Sequence, residues 1–104
     1  MALQKSYLKA QNQKYCNVTF ELSPEAAKGA ETVHLVGDFN SWSSKETEMK
    51  KKKDGSFSVK LKLETGREYQ FRYLIDGKRW ENDWNADKYV PAPFGGSDNS
   101  VVIV

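Results

Sequence analysis

Asp54-Gly55-Ser56-Phe57-Ser58-Val59-Lys60-Leu61-Lys62-Leu63-Glu64-Thr65-Gly66-Arg67-Glu68-Tyr69-Gln70-Phe71-Arg72-Tyr73-Leu74-Ile75-Asp76-Gly77 is the stretch that decides the fold. Phe57, Val59, Leu61 and Leu63 alternate with Ser56, Ser58, Lys60 and Lys62, the period of a half-buried strand. Tyr69, Phe71, Tyr73 and Ile75 then face one way, and Gln70, Arg72 and Leu74 the other. Glycine turns punctuate both runs. Asp54-Gly55 and Asp76-Gly77 are hairpin signals, because glycine accepts a positive φ, and Thr65-Gly66 turns the first run into the second.

The pattern continues in both directions. Cys16, Val18, Phe20 and Leu22 alternate with Tyr15, Asn17, Thr19 and Glu21, Val33 and Leu35 begin another strand, and Val101-Val102-Ile103-Val104 is a β-branched run. Ser23-Pro24-Glu25-Ala26-Ala27 predicts a short helix, with an N-cap serine and proline at the first helical position, stopped by Gly29. Residues 1–13 show no period and are expected to be an N-terminal tail, with one domain over 14–104. From about 82 to 98 the sequence reads as loop, with Pro91, Pro93, Gly95 and Gly96. Six or seven short antiparallel strands at this spacing predict an all-β, immunoglobulin-like antiparallel β-sandwich, without the Cys…Trp…Cys pattern of antibody domains.

Composition bounds the function. The 104 residues allow one core, with 38% hydrophobic, 29% charged and 12% aromatic residues. No apolar run approaches the ~20 residues that span a bilayer, and the polar start does not read as a signal peptide. A single cysteine, Cys16, forms no internal disulfide. These features predict a cytoplasmic monomer with no membrane partner. Sixteen basic against fourteen acidic residues give a net charge of +2, so no global field selects nucleic acid. The run Lys50-Lys51-Lys52-Lys53 precedes a hairpin turn and reads as a charged edge strand that resists pairing with other chains.

Catalytic signatures are missing. There is no Gly-x-Ser-x-Gly elbow and no phosphate-binding glycine loop, and the single histidine, His34, falls on the outward side of a strand. Asp54 and Asp76 are accounted for by their turns. Asp83, Asn85 and Asp87 mimic the first ligands of a calcium loop, but the next required glycine is Lys88 and the twelfth position is Phe94, so no metal site and no cofactor are expected. What remains are aromatics off the alternating faces: Trp42, Trp80, Trp84 and Phe94. A pyranose has apolar C–H faces that suit an indole, and rim hydroxyls that suit amides and guanidinium groups. Gln70 and Arg72 point outward on the strand joined by Asp76-Gly77 to Trp80, while Ser97 and Asn99 lie where the last loop enters the final strand.

Four blocks in order, Val33–Trp42, Asp54–Phe57, Tyr69–Trp80 and Asn99–Val104, resemble the family 48 carbohydrate-binding modules, also called isoamylase N-terminal or early-set domains. The family includes the glycogen-binding domain of the AMP-activated protein kinase β subunit, and the chain looks most like free-standing bacterial members. The resemblance implies a non-catalytic module that binds glycogen or a starch-type α-1,4-glucan. It implies stacking on Trp42 and Trp80, with Arg72 as the basic residue (usually lysine), Asn99 as the asparagine, Ser97 in place of a threonine and Phe94 near an apolar wedge. Gln70 joins this set as an outward-facing amide. Many family members have lost the sugar site and serve as docking domains, so a protein-interaction role beside a separate glucan-metabolising enzyme is the alternative.

Overall fold

The computed structural model describes residues 3–7, 14–92 and 98–104. Nine strands occur among them: β1 (Leu3–Tyr7), β2 (Tyr15–Leu22), β3 (Val33–Gly37), β4 (Lys50–Lys51), β5 (Phe57–Glu64), β6 (Glu68–Ile75), β7 (Arg79–Glu81), β8 (Lys88–Pro91) and β9 (Asp98–Ile103). They form two antiparallel sheets. One has the order β1-β2-β5-β4, and the other β3-β6-β9-β8 with β7 also on β6. The protein is a β-sandwich, as its alternation predicts.

The alternating residues meet between the sheets. Val18 lies opposite Leu61 and Phe20 opposite Val59 in one sheet, and Leu35 opposite Tyr73 in the other. Phe20, Phe71 and Tyr73 are fully buried, with Phe71 edge-on to both at centroid distances of 5.0 and 5.8 Å. Ile75-Asp76-Gly77-Lys78 makes the tight turn its sequence demands: Asp76 has φ 54 and Gly77 φ 67, and the Lys78 N–H donates to the Ile75 carbonyl at 3.0 Å. A single helical turn, α1 (Pro24–Ala27), has its Ala26 N–H capped by Ser23 Oγ at 3.2 Å. The Arg79 guanidinium donates to the carbonyls of Ala26 and Ala27 at the turn's other end.

Three expectations are corrected. Leu3–Tyr7, assigned to a tail, pairs along β2 from Leu3↔Phe20 to Tyr7↔Cys16. Its inward-facing Lys5 reaches Asp87 beside the other sheet at 2.7 Å, so a charge stands where the strand pattern needs an apolar residue. Lys88–Pro91, read as loop, is the edge strand β8; only an edge tolerates the missing N–H of Pro91. His34 faces outward but is half-buried, because Thr47 and Met49 bond the backbone of β3 and carry Glu48 past it. The lysine run meets its expected place at the edge: Lys51 donates to the Ala30 carbonyl at 3.0 Å, and Lys52 pairs with Glu21 at 2.9 Å.

Asp76 supplies a pH prediction. One oxygen, Oδ1, accepts the N–H groups of Glu31 and Thr32 at 2.9 and 3.0 Å. Chiefly the Thr32 bond, then the Glu31 bond, holds its pKa below the usual 3.8. A depressed carboxylate contributes stability that is present above the usual value and lost as pH falls through the folded one. Asp76→Asn keeps an acceptor and tolerates the positive φ, but has no charge to lose. The variant is expected to be less stable than the parent at pH 7, with the gap closing below about pH 4, measured by urea unfolding across that range.

Candidate functional site

The outward face of the second sheet carries the site, and its first wall is built by Gly37-Asp38-Phe39-Asn40-Ser41-Trp42. Gly37 ends β3 against β6. A Cβ there would sit 2.5 Å from the Gln70 carbonyl oxygen, 2.8 Å from Phe71 Cβ and 2.9 Å from Phe39 Cζ, so the sheet can close only over a glycine. Asp38–Asn40 form a 3-10 turn. Phe39 drops into the core 5.5 Å from the Phe20 ring. Asn40 stitches the turn together: Oδ1 accepts from the Gly37 N–H, and Nδ2 donates to the Leu35 carbonyl and to Thr47 Oγ1. Ser41 and Trp42 then take φ values of 56 and 59, and the Trp42 N–H returns to the Gly37 carbonyl at 2.9 Å. Two consecutive left-handed non-glycine residues are strained, and here the strain presents an indole to solvent.

Asp38 holds that indole. Its Oδ1 accepts the Trp42 Nε1–H and its Oδ2 accepts the Gln70 backbone N–H, both at 2.8 Å. The register ends at Gly37↔Phe71, so this carboxylate extends the ladder by one rung while fixing a side chain in the same step. Asp38 lies inside the Val33–Trp42 block, where no strand period points to its role. The available signal is a carboxylate four residues before a tryptophan across a turn.

The floor is a chain of hydrogen bonds. Arg72 Nε donates to Asn99 Oδ1 at 2.7 Å, and Asn99 Nδ2 donates to Gln70 Oε1 at 2.9 Å. Asn99 is buried, so its amide orientation is fixed by both neighbours. Arg72 forms no ion pair among the described residues, which leaves the Nη edge of its guanidinium for a ligand. Trp80 comes from β7, opposite Leu74 of β6, lifted by the Asp76-Gly77 turn. Asp38, Trp42, Gln70, Arg72, Trp80, Ala92 and Asn99 line one open groove of about 490 Å³. Trp42 and Trp80 are 37% and 47% exposed where the core rings are at or near zero, so neither is held in place by burial.

Five of the seven residues singled out from sequence therefore converge: Trp42, Gln70, Arg72, Trp80 and Asn99. Phe94 and Ser97 lie outside the described residues. Trp84 does not line the groove; it is exposed, with its indole N–H 3.4 Å from Glu81 Oε1. The two carboxylates of the Asp83, Asn85 and Asp87 set are spent on structure. Asp83 Oδ2 accepts the Tyr73 hydroxyl at 2.7 Å and its Oδ1 the Asn85 N–H at 2.8 Å, while Asp87 Oδ2 accepts from Lys5 and from the Ile103 N–H. Burial pushes the Asp83 pKa up, against the opposing pull of the Tyr73 bond, and burial with Asp83 beside it drives Tyr73 well above its usual 10.

Replacing Asp38 with alanine is expected to free the Trp42 ring and leave the Gln70 N–H without its acceptor. Ligand affinity should fall about tenfold, with a change in Trp42 emission before ligand is added, measured by fluorescence titration.

The second sheet thus carries two exposed indoles and a polar floor in one groove. Residues 25–103 match the glycogen recognition site of AMP-activated protein kinase, and the chain belongs to that family. Among relatives, 76 residues are 36% identical to Protein PTST homolog 2, chloroplastic, of Arabidopsis thaliana, covering 72% of this chain and 13% of that protein. Another 54 residues are 39% identical to Protein FLOURY ENDOSPERM 6, chloroplastic, of Oryza sativa subsp. japonica, covering 52% of this chain and 10% of that one. The chain thus corresponds to a small part of each relative's length.

Proposed function

We propose that the protein is a non-catalytic module that binds an α-1,4-glucan of the glycogen or starch type, stacking glucose rings on Trp42 and Trp80. The observation that carries this reading is the pair of exposed indoles lining one groove with Arg72, Asn99 and Gln70. Indole faces suit the C–H faces of the sugar. The guanidinium edge and the amides suit its hydroxyls. Membership of a glycogen-recognition family supports the choice of sugar.

The groove's only carboxylate among the described residues, Asp38, accepts from two N–H groups and has no carboxylate partner there. Most glycoside hydrolases use two carboxyl groups about 5–9.5 Å apart, and a single carboxylate in the described lining supports a non-catalytic reading. Binding at a shallow, wet groove is expected at ~4–7 kcal/mol, about millimolar to ten micromolar. The test is tryptophan fluorescence during titration with maltoheptaose, with cellohexaose as control. A saturable change with the α-glucan alone supports the reading. No change with either up to about ten millimolar overturns it, because contacts worth about 3 kcal/mol would register there.

A further inference from the structure

The groove floor stands on an irregularity of the second sheet. One side of β6 is shared by two strands: β9 pairs with Glu68–Phe71, ending at Phe71↔Ser100, and β7 pairs with Tyr73–Ile75, beginning at Tyr73↔Glu81. Arg72 sits at the seam, and Asn99, which its Nε contacts, lies one residue inside the start of β9. Strand ends fray unless something ties them.

β8 ties one side of the β9 start, with Val90 opposite Asn99 and Pro91 opposite Asp98; on the β7 side the tie is Asn82, the residue that follows β7. Its Nδ2 donates to the Asp98 carbonyl at 2.8 Å, and its Oδ1 accepts the Ser100 hydroxyl at 2.8 Å. One side chain thus grips the chain on both sides of Asn99. The grip is itself anchored, since Ser100 Oγ accepts the Asp83 N–H at 2.9 Å and the Asp83 carboxylate accepts the buried Tyr73 hydroxyl. Tyr89 adds a hydroxyl bond to the Asp83 carbonyl. Asn82 is not among the residues that line the groove.

We infer that Asn82 is a positioning residue for the groove: by closing the seam between β7 and β9 it fixes Asn99, and through Asn99 the guanidinium of Arg72. The inference rests on the groove being the sugar site, while the hydrogen-bond linkage from Asn82 through Asn99 to Arg72 exists with or without a sugar. A linked polar chain transmits the loss of one member to the next, because each bond orients its neighbour.

The experiment uses Asn82→Ala, with Asn82→Asp as a second variant that keeps the acceptor for Ser100 but loses the donor to Asp98. Two quantities are read: affinity for maltoheptaose, and the ¹⁵N–¹H signal of Arg72 Nε, protected in the parent by Asn99. The expected result in both variants is an affinity about tenfold lower, the equivalent of one lost hydrogen bond, together with an Arg72 Nε–H signal broadened by exchange. Core methyl signals such as those of Val33 and Val102 should hold their positions. Parent-like affinity in a folded variant overturns the inference, and so does lost affinity with the Arg72 signal intact. If Asn82→Ala does not fold, Asn82→Asp decides. If the parent protein itself fails to bind, the sugar reading falls, and the Arg72 signal alone decides whether Asn82 positions the floor.

Discussion

Trp80→Ala is expected to weaken binding of maltoheptaose by roughly 5- to 150-fold while leaving the protein folded. The ring is 47% exposed and sits on a three-residue strand next to a tight turn whose conformation depends on Asp76 and Gly77, not on the indole. Stacking of a ring on an indole is worth about 1–3 kcal/mol. Taken from a total of ~4–7 kcal/mol, that loss lowers the affinity by roughly 5- to 150-fold. The stability cost should stay below about 1.5 kcal/mol, since a half-exposed side chain leaves no sealed cavity. Calorimetric titration and urea unfolding on the same preparation check both halves. Unfolding at much lower urea would make Trp80 a core residue and remove it from the site.

Gly37→Ala is expected to cost about 3 kcal/mol, the upper end for overpacking, because its added Cβ meets the closest contacts among the described glycines. The added Cβ meets a backbone carbonyl at 2.5 Å and the Cβ of Phe71 at 2.8 Å, neither of which is the free end of a flexible side chain. Relief requires β3 to move away from β6, which also displaces Asp38 from the Gln70 N–H. For a domain of this size the loss corresponds to about 12–24 °C in Tm. The control is Gly29→Ala. That glycine has φ +73 but nothing within 4 Å of its added Cβ, so only the backbone strain of about 1 kcal/mol applies. Equal effects at the two positions would show that packing at Gly37 is not the cause.

The sandwich was legible because period-two alternation and glycine turns act locally. The alternation of Phe57–Leu63 and the Asp76-Gly77 turn needed no knowledge of distant contacts. β1 was not legible. Lys5 occupies an inward position of that strand and is satisfied by Asp87, a partner 82 residues away that no local pattern announces. β8 hid for a related reason: an edge strand with proline has the composition of a loop.

The site divided along the same line. Trp42 and Trp80 stood out because neither fits an alternating face, Arg72 because its strand aims it outward, and Asn99 because it lies where the last loop enters the final strand. Asp38 and Asn82 act through other residues, and such roles depend on geometry that only the folded chain assembles. His34 reads as solvated from its strand alone and is half-covered by a segment that the strand period does not place.

The orientation of the two walls has a consequence in time. Trp42 is bonded to Asp38 and Trp80 is mounted on a tight turn, so neither has to be recruited when a ligand arrives, and encounter should be fast, on the order of 10⁷ per molar per second. With dissociation constants between about ten micromolar and one millimolar, residence on a single glucan segment is then about ten milliseconds down to a tenth of one. A module with such short dwell times moves over a branched polymer by repeated release and recapture, and holds fast only where several grooves act on one particle.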